Sequence, residues 1–280
     1  MKLLRVGTKG SERPAALDKN GKIRELSSQI KDLSPDNLNF ETILKLKKID
    51  LEKLPELSKI DRIGSCVKNP GKFVAIGLNY SDHAAETGAK VPSEPIVFMK
   101  ATSSINGPND DIEISSNSKK MDWEVELGIV IGRDTKNISE KDAPNHILGY
   151  CLINDISERE WQIEKMGQWV KGKSHDTFGP IGPYLVTQDE IPDINNLSMS
   201  LDVNGKRMQT GNTGTMIFNV FFIVSYLSKY MSLQPGDVIT TGTPPGVGMG
   251  KKPQVFLKAG DKMRLSIEHL GEQNSKVVLQ

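Results

Sequence analysis

Two acidic side chains two residues apart are the most informative feature of this 280-residue sequence. Glu124 and Glu126 lie in segment 122–131, whose other residues are mostly apolar. Because side chains alternate along a strand, both carboxylates project from one face. Buried like charges need a compensating cation, and oxygen ligands without a nearby Cys or His, with Asp155 downstream, suit Mg²⁺ or Mn²⁺ rather than Zn²⁺. The alternative is an edge strand whose acidic face meets solvent.

A histidine and a glutamate three residues apart form the second candidate group. His83 and Glu86 follow a short apolar segment, and Ser81 or Asp82 can cap a helix that would carry both on one face. A carboxylate beside an imidazole orients it and raises its basicity, as activation of water requires. The alternative is a hydrogen-bonded pair on the surface.

Basic residues at the ends of apolar segments form the third group. A partly buried lysine, such as Lys100 or Lys173, can stabilise an oxyanion or bind an acidic substrate near a metal. Arg159, one helical turn after Asp155, can meet a substrate carboxylate. The alternative is a solvated lysine at a strand end. Three neighbouring charged residues are expected to be solvated: Lys171, Glu158 and Glu160.

The last candidate is segment 235–248, a strand followed by a loop rich in Gly, Thr and Pro. Backbone N–H groups of such a loop can cradle an anion. Tight turns that need positive φ explain the glycines equally well.

The elements that must position these residues are mostly strands. Segment 1–66 predicts a small N-terminal domain, with a strand at 3–7, a hairpin over 14–26 and a helix within 36–49. From 70 to 280, short strand-like segments alternate with turns and predict a catalytic domain that is mainly β with short helices (α+β). The apolar stretch 216–227 is too short to span a membrane and predicts a buried helix.

The amino-acid composition limits the kinds of partner molecule that we expect. Lys and Arg total 36 against 35 for Asp and Glu, a formal net charge of +1, so we expect neither a nucleic-acid nor a membrane partner. The two cysteines lack metal-ligand spacing, and the first residues lack the apolar core of a secretion signal. We therefore expect a cytoplasmic protein.

Six short motifs together resemble the fumarylacetoacetate hydrolase family. Gly-Leu-Asn-Tyr-x-x-His-x-x-Glu, Phe-x-Lys, Glu-x-Glu, Asn-Asp, Lys-Ser and Gly-Asp-Val-Ile-x-Thr-Gly-Thr-Pro-x-Gly-Val-Gly occur in family order between about residues 70 and 270. The resemblance implies a mixed β-roll with a small leading domain, usually in a homodimer.

The same resemblance implies a role for each candidate. One divalent cation per subunit, Mg²⁺ or Mn²⁺, would bind to Glu124, Glu126 and Asp155. His83 and Glu86 would be the dyad that handles water, with Lys173 stabilising the oxyanion. Five residues would contact substrate: Tyr80, Lys100, Arg159, Gln209 and Thr243.

Segments around Asp155 and Lys173 are similar to those of bacterial hydrolases of 2,4-diketo-3-deoxy-L-fuconate or L-rhamnonate, which are often labelled ureidoglycolate lyases. The resemblance therefore implies hydrolysis of a carbon–carbon bond in a small 2,4-dioxo acid, giving pyruvate and, from the fuconate or the L-rhamnonate analogue, L-lactate. Ureidoglycolate lysis, acylpyruvate cleavage, oxaloacetate decarboxylation and isomerisation of a dienedioate are alternatives at such a site, because fold alone does not select a reaction. A non-catalytic acid-binding protein would lack a ligand or base, and none is missing.

Overall fold

A ten-stranded mixed sheet organises the computed structural model, which describes residues 1–82, 86 and 90–280. Its strands are β1 (Lys2–Val6), β2 (Arg13–Leu17), β3 (Ile23–Glu25), β4 (Ile63–Gly64), β5 (Phe73–Gly77), β6 (Ile96–Met99), β10 (Val125–Ile131), β11 (Ile147–Asn154), β14 (Leu185–Thr187) and β17 (Val238–Thr240). Their order is β3-β2-β1-β14-β11-β10-β17-β5-β6, with β4 paired to β1. Only the β17–β5 pairing within this sheet is parallel among the described strands.

A five-stranded sheet packs with the first around a common apolar core. It has the order β16-β15-β18-β19-β8 and comprises β8 (Ile112–Ile114), β15 (Ser198–Val203), β16 (Lys206–Asn212), β18 (Lys262–Ile267) and β19 (Gly271–Leu279). Two small ribbons pair β9 (Met121–Asp122) with β12 (Ser157–Glu158), and β7 (Ile105–Asn106) with β13 (Gly179–Pro180). The prediction of a mainly β protein with short helices is confirmed.

The described helices are short. They are α1 (Phe40–Lys47), α2 (Val170–Lys173) and α3 (Val220–Tyr230), with a π-helical turn at Glu160–Glu164 and 3₁₀ turns at Leu51–Lys53, Thr102–Ser104, Ala143–Asn145, Gln188–Glu190, Thr213–Thr215 and Gly248–Gly250. Asn39 caps α1 by accepting from the Thr42 N–H at 2.9 Å, so the helix predicted within 36–49 begins at Phe40. The apolar stretch predicted as a buried helix is α3, and Asn219 caps it. Among the described residues, no helix has the length and apolar character needed to cross a membrane.

Strand β10 lies inside the large sheet. It pairs with β11 on one side and β17 on the other, and all seven of its residues are buried. A Cβ at Gly128 would lie 2.5 Å from the Ile153 side chain, so the glycine allows β10 and β11 to pack closely. The alternative of a solvent-facing edge strand is therefore wrong.

The N-terminal segment continues the large sheet. The predicted hairpin is present as β2 and β3, and Leu3 of β1 pairs with Leu185 of β14. Residues 1–66 and 70–280 thus share a sheet, and their division into two domains stays a prediction.

Candidate active site

Three buried carboxylates meet where β10 and β11 lie side by side. Glu124 directly precedes β10, Glu126 lies within it, and Asp155 follows the last residue of β11. The pairing of Val125 with Asn154, and a 2.9 Å hydrogen bond from the Asp155 N–H to the Glu124 carbonyl, set the three side by side. One oxygen of each carboxylate lies within 4.8 Å of the others. The structure thus brings together the three predicted metal ligands as an acidic triad.

Two of these carboxylates are paired with buried cations. Lys173 Nζ lies 2.6 Å from Glu124 Oε2 and 2.7 Å from Asp155 Oδ2. Arg159 donates to Glu124 Oε1 at 2.7 Å and to Asp122 Oδ2 at 2.9 Å. Although burial raises the pKa of Glu124, the charges of Arg159 and Lys173 outweigh it and hold this pKa well below its usual range. Glu124 is therefore ionised.

Glu126 has a different environment. Its Oε2 accepts from the Thr240 hydroxyl and from the Gly242 N–H, at 2.9 Å for the latter, and no cation pairs with it among the described residues. Burial, together with the charges of Asp155 and Glu124, raises its pKa well above the usual range. Glu126 is thus the one carboxyl of the triad without a cation partner among the described residues. Three convergent oxygen ligands, one of them without a cation, fit a hard divalent cation.

Lys173 is an ammonium that faces the cavity. Burial lowers the pKa of Lys173, but the charges of Asp155 and Glu124 outweigh burial and raise it. Its neighbour Lys171 is exposed, as predicted. Lys173 therefore carries a stable positive charge at the cavity.

Lys100 lies behind the triad. Its ammonium donates to Asp155 Oδ1 at 2.6 Å, to the Ile156 carbonyl at 3.3 Å and to the Lys173 carbonyl, which uses all three of its donors. Burial lowers the pKa of Lys100, opposed by the charge of Asp155. This geometry favours a role in holding Asp155 over the predicted substrate contact.

The other predicted substrate contacts occupy different positions. Gln209 is buried, accepts from the Val125 N–H at 3.0 Å and donates to the Thr243 hydroxyl at 2.8 Å, so its amide braces β10. Tyr80 is buried, with its hydroxyl 3.1 Å from Met199 Sδ. Neither side chain lines the cavity above the triad, whereas Arg159 and Thr243 do. Their contacts with substrate stay predictions.

The structure describes only one residue of the predicted dyad of His83 and Glu86. His83 lies outside the described residues, so its role stays a prediction. The Glu86 carboxylate accepts from the Gly246 N–H at 3.1 and 3.0 Å. A Cβ at Gly246 would lie 2.0 Å from the Met208 carbonyl oxygen, and its φ is +109°, so this position requires glycine.

The loop predicted to cradle an anion surrounds carboxylates of the protein itself. Besides the Gly242 and Gly246 contacts, the Gly248 and Met249 N–H groups donate to Asp122 at 2.6 and 3.0 Å. Both interpretations of this loop therefore hold: its glycines allow tight turns, and their N–H groups contact anions. Their effect is to fix acidic side chains around the site.

Several residues of the site were not predicted from the sequence. Asp122, two residues before Glu124, anchors Arg159, and its spacing in Asp-x-Glu-x-Glu was the available signal. Gln162 accepts from Arg159 Nη1 at 3.0 Å, which turns its amide nitrogen away from the arginine. Glu158, predicted to be solvated, is fully buried and accepts from the Ser118 hydroxyl and the Lys120 N–H. That prediction is wrong because the β9–β12 ribbon turns this side chain inward.

The triad forms one side of a cavity of about 210 Å³. Its charged and deeply buried part, called the floor, consists of Glu124, Glu126, Asp155, Arg159 and Lys173. Its less buried part, called the mouth, consists of Leu78, Phe98, Ile163, Trp169 and Met249. A cavity of this size can hold a small molecule between the charged floor and the apolar mouth.

Known proteins resemble both the sequence and the fold. The family described as fumarylacetoacetate (FAA) hydrolase C-terminal matches residues 72–278. A Burkholderia ambifaria protein named "Putative hydrolase" is 60% identical over 98% of this chain and 97% of its own. The structure of a fumarylacetoacetate hydrolase from Exiguobacterium antarcticum has a TM-score of 0.88 and 35% identity, covering 100% of both chains. A Sphingobium maleylpyruvate hydrolase, solved with manganese(II) and pyruvate, has a TM-score of 0.83 and 26% identity, covering 100% of this chain and 99% of its own.

The predicted family is thus confirmed, and the mixed sheets around the acidic triad are those of an enzyme fold shared by hydrolases and isomerases. The chain belongs to the fumarylacetoacetate hydrolase family.

Proposed function

We propose that this protein is a metal-dependent hydrolase that cleaves a carbon–carbon bond of a 2,4-dioxo acid and releases pyruvate. The observation that carries the proposal is the buried triad, in which Lys173 bridges Glu124 and Asp155 while Glu126 has no cation partner among the described residues. A cavity open to a small acid lies directly above it.

Glu124, Glu126 and Asp155 would hold the Mg²⁺ or Mn²⁺ ion, which supplies Lewis-acid chemistry when bound. Lys173 donates hydrogen bonds to the oxyanion that forms when water adds to the distal carbonyl. Arg159, fixed by Asp122, keeps Glu124 in place. The chain thus provides a fixed positive charge beside the site of reaction.

Water attack requires a base, and we propose His83, oriented by Glu86, for that role. The base removes a proton from water, and the resulting hydroxide adds to the distal carbonyl carbon. The carbon–carbon bond then breaks, its electron pair passes to the pyruvate fragment, and a proton is added to that carbon. The other fragment leaves as a carboxylic acid.

Relatives support the reaction class and the cofactor. The Sphingobium structure holds manganese(II) and pyruvate, the proposed metal type and product. Within this class we propose 2,4-diketo-3-deoxy-L-fuconate, or the L-rhamnonate analogue, as the first substrates to test, because the sequence around Asp155 and Lys173 is similar to that of such enzymes.

The test is the release of pyruvate from diketo sugar acids, acylpyruvates and oxaloacetate, and of glyoxylate from ureidoglycolate, with Mg²⁺ or Mn²⁺ and then with EDTA. Chelator-sensitive cleavage of a 2,4-dioxo acid is the expected result. Turnover of only oxaloacetate or ureidoglycolate would overturn the proposed reaction and retain the metal site. Cleavage that survives complete metal removal would contradict the metal site instead.

We further propose that the protein is a cytoplasmic homodimer. Both cysteines are free, as in a reducing compartment. Phe218, just before α3, and three residues on one face of that helix, Phe222, Tyr226 and Tyr230, form a row of neighbouring aromatic rings with exposed surface, which offers an apolar contact surface. Light scattering coupled to gel filtration should give twice the chain mass of 30.9 kDa, and a mass of one chain would contradict the dimer.

A further inference from the structure

The cavity changes character between its floor and its mouth. The floor is charged, whereas all five side chains of the mouth are apolar. Ile163 is 46% exposed, and the other four side chains of the mouth are partly buried, so the apolar part lies nearer to solvent. A substrate whose acid end is drawn to the floor must therefore place its other end among apolar groups.

The apolar wall is held in place by packing. The rings of Trp169 and Phe98 meet edge to face, with centroids 5.2 Å apart. Trp169 also lies over Gly77, where a Cβ would approach its Cζ3 to 2.5 Å, so glycine is needed for this contact. The ring of Trp169 therefore cannot move aside without losing contacts on both sides.

The cations of the cavity are already engaged at the floor. Arg159 is bound to Asp122, Glu124 and Gln162, and Lys173 to Glu124 and Asp155. Within residues 1–82, 86 and 90–280, these two are the only cationic side chains that line the cavity. A carboxylate brought to the mouth would lose water without gaining a charged partner from these described residues.

We propose that the mouth selects 2,4-dioxo acids with a single carboxylate and a short uncharged tail, and rejects those that end in a second carboxylate. The selection rests on the proposed function for the orientation of substrate, because the acid end must face the floor. It adds a specificity that the triad itself cannot supply.

Two ligands of equal size distinguish the effect of charge on binding from the effect of shape. One is 2,4-dioxoheptanedioate, which ends in a carboxylate, and the other is its terminal amide. Dissociation constants are measured by calorimetry with Mg²⁺, and kcat/KM by pyruvate release. We expect the amide to be favoured roughly 30-fold in both quantities, since the charged end is desolvated without a partner.

A variant at the mouth tests whether the lack of a cation there sets the preference for the amide over the dicarboxylate. Ile163→Arg adds a cation at a partly exposed position and should reduce the preference about fivefold, the effect of one exposed ion pair. Ile163→Met is the matched control with similar length and no charge, and it should leave the ratio of the two ligands unchanged.

The outcomes distinguish this selection from the proposed cleavage. Equal binding and equal cleavage of the two ligands would overturn the selection and leave the cleavage standing. Tighter binding of the amide without pyruvate release from either ligand would support the selection and contradict the cleavage. Tighter binding of the dicarboxylate would overturn the selection directly.

Discussion

Two clusters of acids and cations in this protein, one buried and one partly buried, are built from the same residue types but differ in charge balance. One is the floor of the cavity. The other, called the junction cluster, consists of Arg5, Glu12, Asp32, Arg62, Lys68 and Asp110 and lies where the N-terminal strands meet the rest of the chain. The comparison separates charges that stabilise the fold from charges arranged for chemistry.

Every acid of the junction cluster has a cation. Arg5 binds Asp32 at 2.7 Å and Glu12 at 3.1 Å, and Arg62 binds Glu12 at 2.8 Å and Asp110 at 2.6 Å. At the floor, Glu126 has only neutral donors among the described residues, and its pKa is raised rather than lowered. Burying such a carboxyl costs folding free energy, which supports the metal site proposed for the triad.

The largest expected effect comes from neutralising one glutamate in each cluster. Glu126→Gln keeps the shape and the contacts to Thr240 and Gly242 but removes the carboxyl group. We expect metal-dependent turnover to fall about a thousandfold or more, because an anionic ligand is lost. The metal-free protein should become more stable by about 1 kcal/mol at neutral pH, because the fold no longer contains a carboxyl whose pKa is raised by burial.

Glu12→Gln in the junction cluster is the control and should show the reverse pattern. It should lower the free energy of unfolding by about 3 kcal/mol, because the buried Arg5 and the partly buried Arg62 lose a partner, and leave turnover unchanged. Chemical denaturation and steady-state kinetics measure both quantities. A destabilised Glu126→Gln protein with normal turnover would refute the distinction between the clusters.

Lys173→Met should separate metal binding from chemistry at the floor. Without the ammonium, turnover should fall about a hundredfold, the effect of removing one oxyanion donor. Binding of Mn²⁺, measured by calorimetry, should not weaken, because two carboxylates lose a competing cation. Lys171→Met, two residues away and exposed, is the matched control and should behave as the unmodified protein. Loss of Mn²⁺ binding in Lys173→Met would place the lysine among the groups that assemble the metal site.

A smaller effect, on Mn²⁺ binding, is expected from substitution of Asn79, which holds the loop beside Glu126. Its amide donates to the Thr241 carbonyl at 2.8 Å and to the Phe218 carbonyl at 3.0 Å, and it accepts from the Phe218 N–H at 2.8 Å. Thr241 lies between the two residues that hydrogen-bond Glu126. Asn79→Ala should therefore weaken Mn²⁺ binding about tenfold, as expected when a partner of a metal ligand shifts.

Asn106→Ala, which removes another buried amide, is the control for general destabilisation. It should lower stability without changing the dissociation constant for Mn²⁺. Equal losses of Mn²⁺ affinity in the two variants would show that Asn79 acts only through stability.

The parts of the site that were predictable from sequence are those fixed by local geometry. Strand alternation alone places Glu124 and Glu126 on one face, and Asn39 and Asn219 are caps that sequence can suggest. The contact of Asp155 with Glu124 depends on the pairing of β10 with β11, for which the family motifs were the only signal.

Side-chain directions set by distant packing were not predictable. Lys100 turns toward Asp155 and away from the cavity because backbone carbonyls on two other segments accept its donors. Gln209 braces β10 from β16 across the sheets, and Glu158 turns inward on a two-residue ribbon that has no periodic pattern. Each depends on contacts between residues far apart in the chain.

The smallest expected effect is the contribution of the junction cluster to the pH dependence of stability. Burial raises the pKa of Glu12, but its hydrogen bond with Arg62 and the charges of Arg5 and Arg62 lower it overall, below the ordinary value of 4.5. Burial likewise raises the pKa of Asp32, and hydrogen bonds from Arg5 and Lys68 bring it below 3.8. A carboxyl whose pKa is lower in the folded state stabilises the fold above its unfolded pKa, by about 1.4 kcal/mol for each unit of difference.

That stabilisation is lost as pH falls through the lowered values, because both carboxyls must then bind protons in the folded state. Denaturation in urea should thus give a constant contribution from these groups between pH 7 and about 5 and a decline below about 4. Glu12→Gln should flatten the decline, because one of the two titrating groups is absent. An equally steep decline in that variant would assign the acid sensitivity to carboxylates outside the junction cluster.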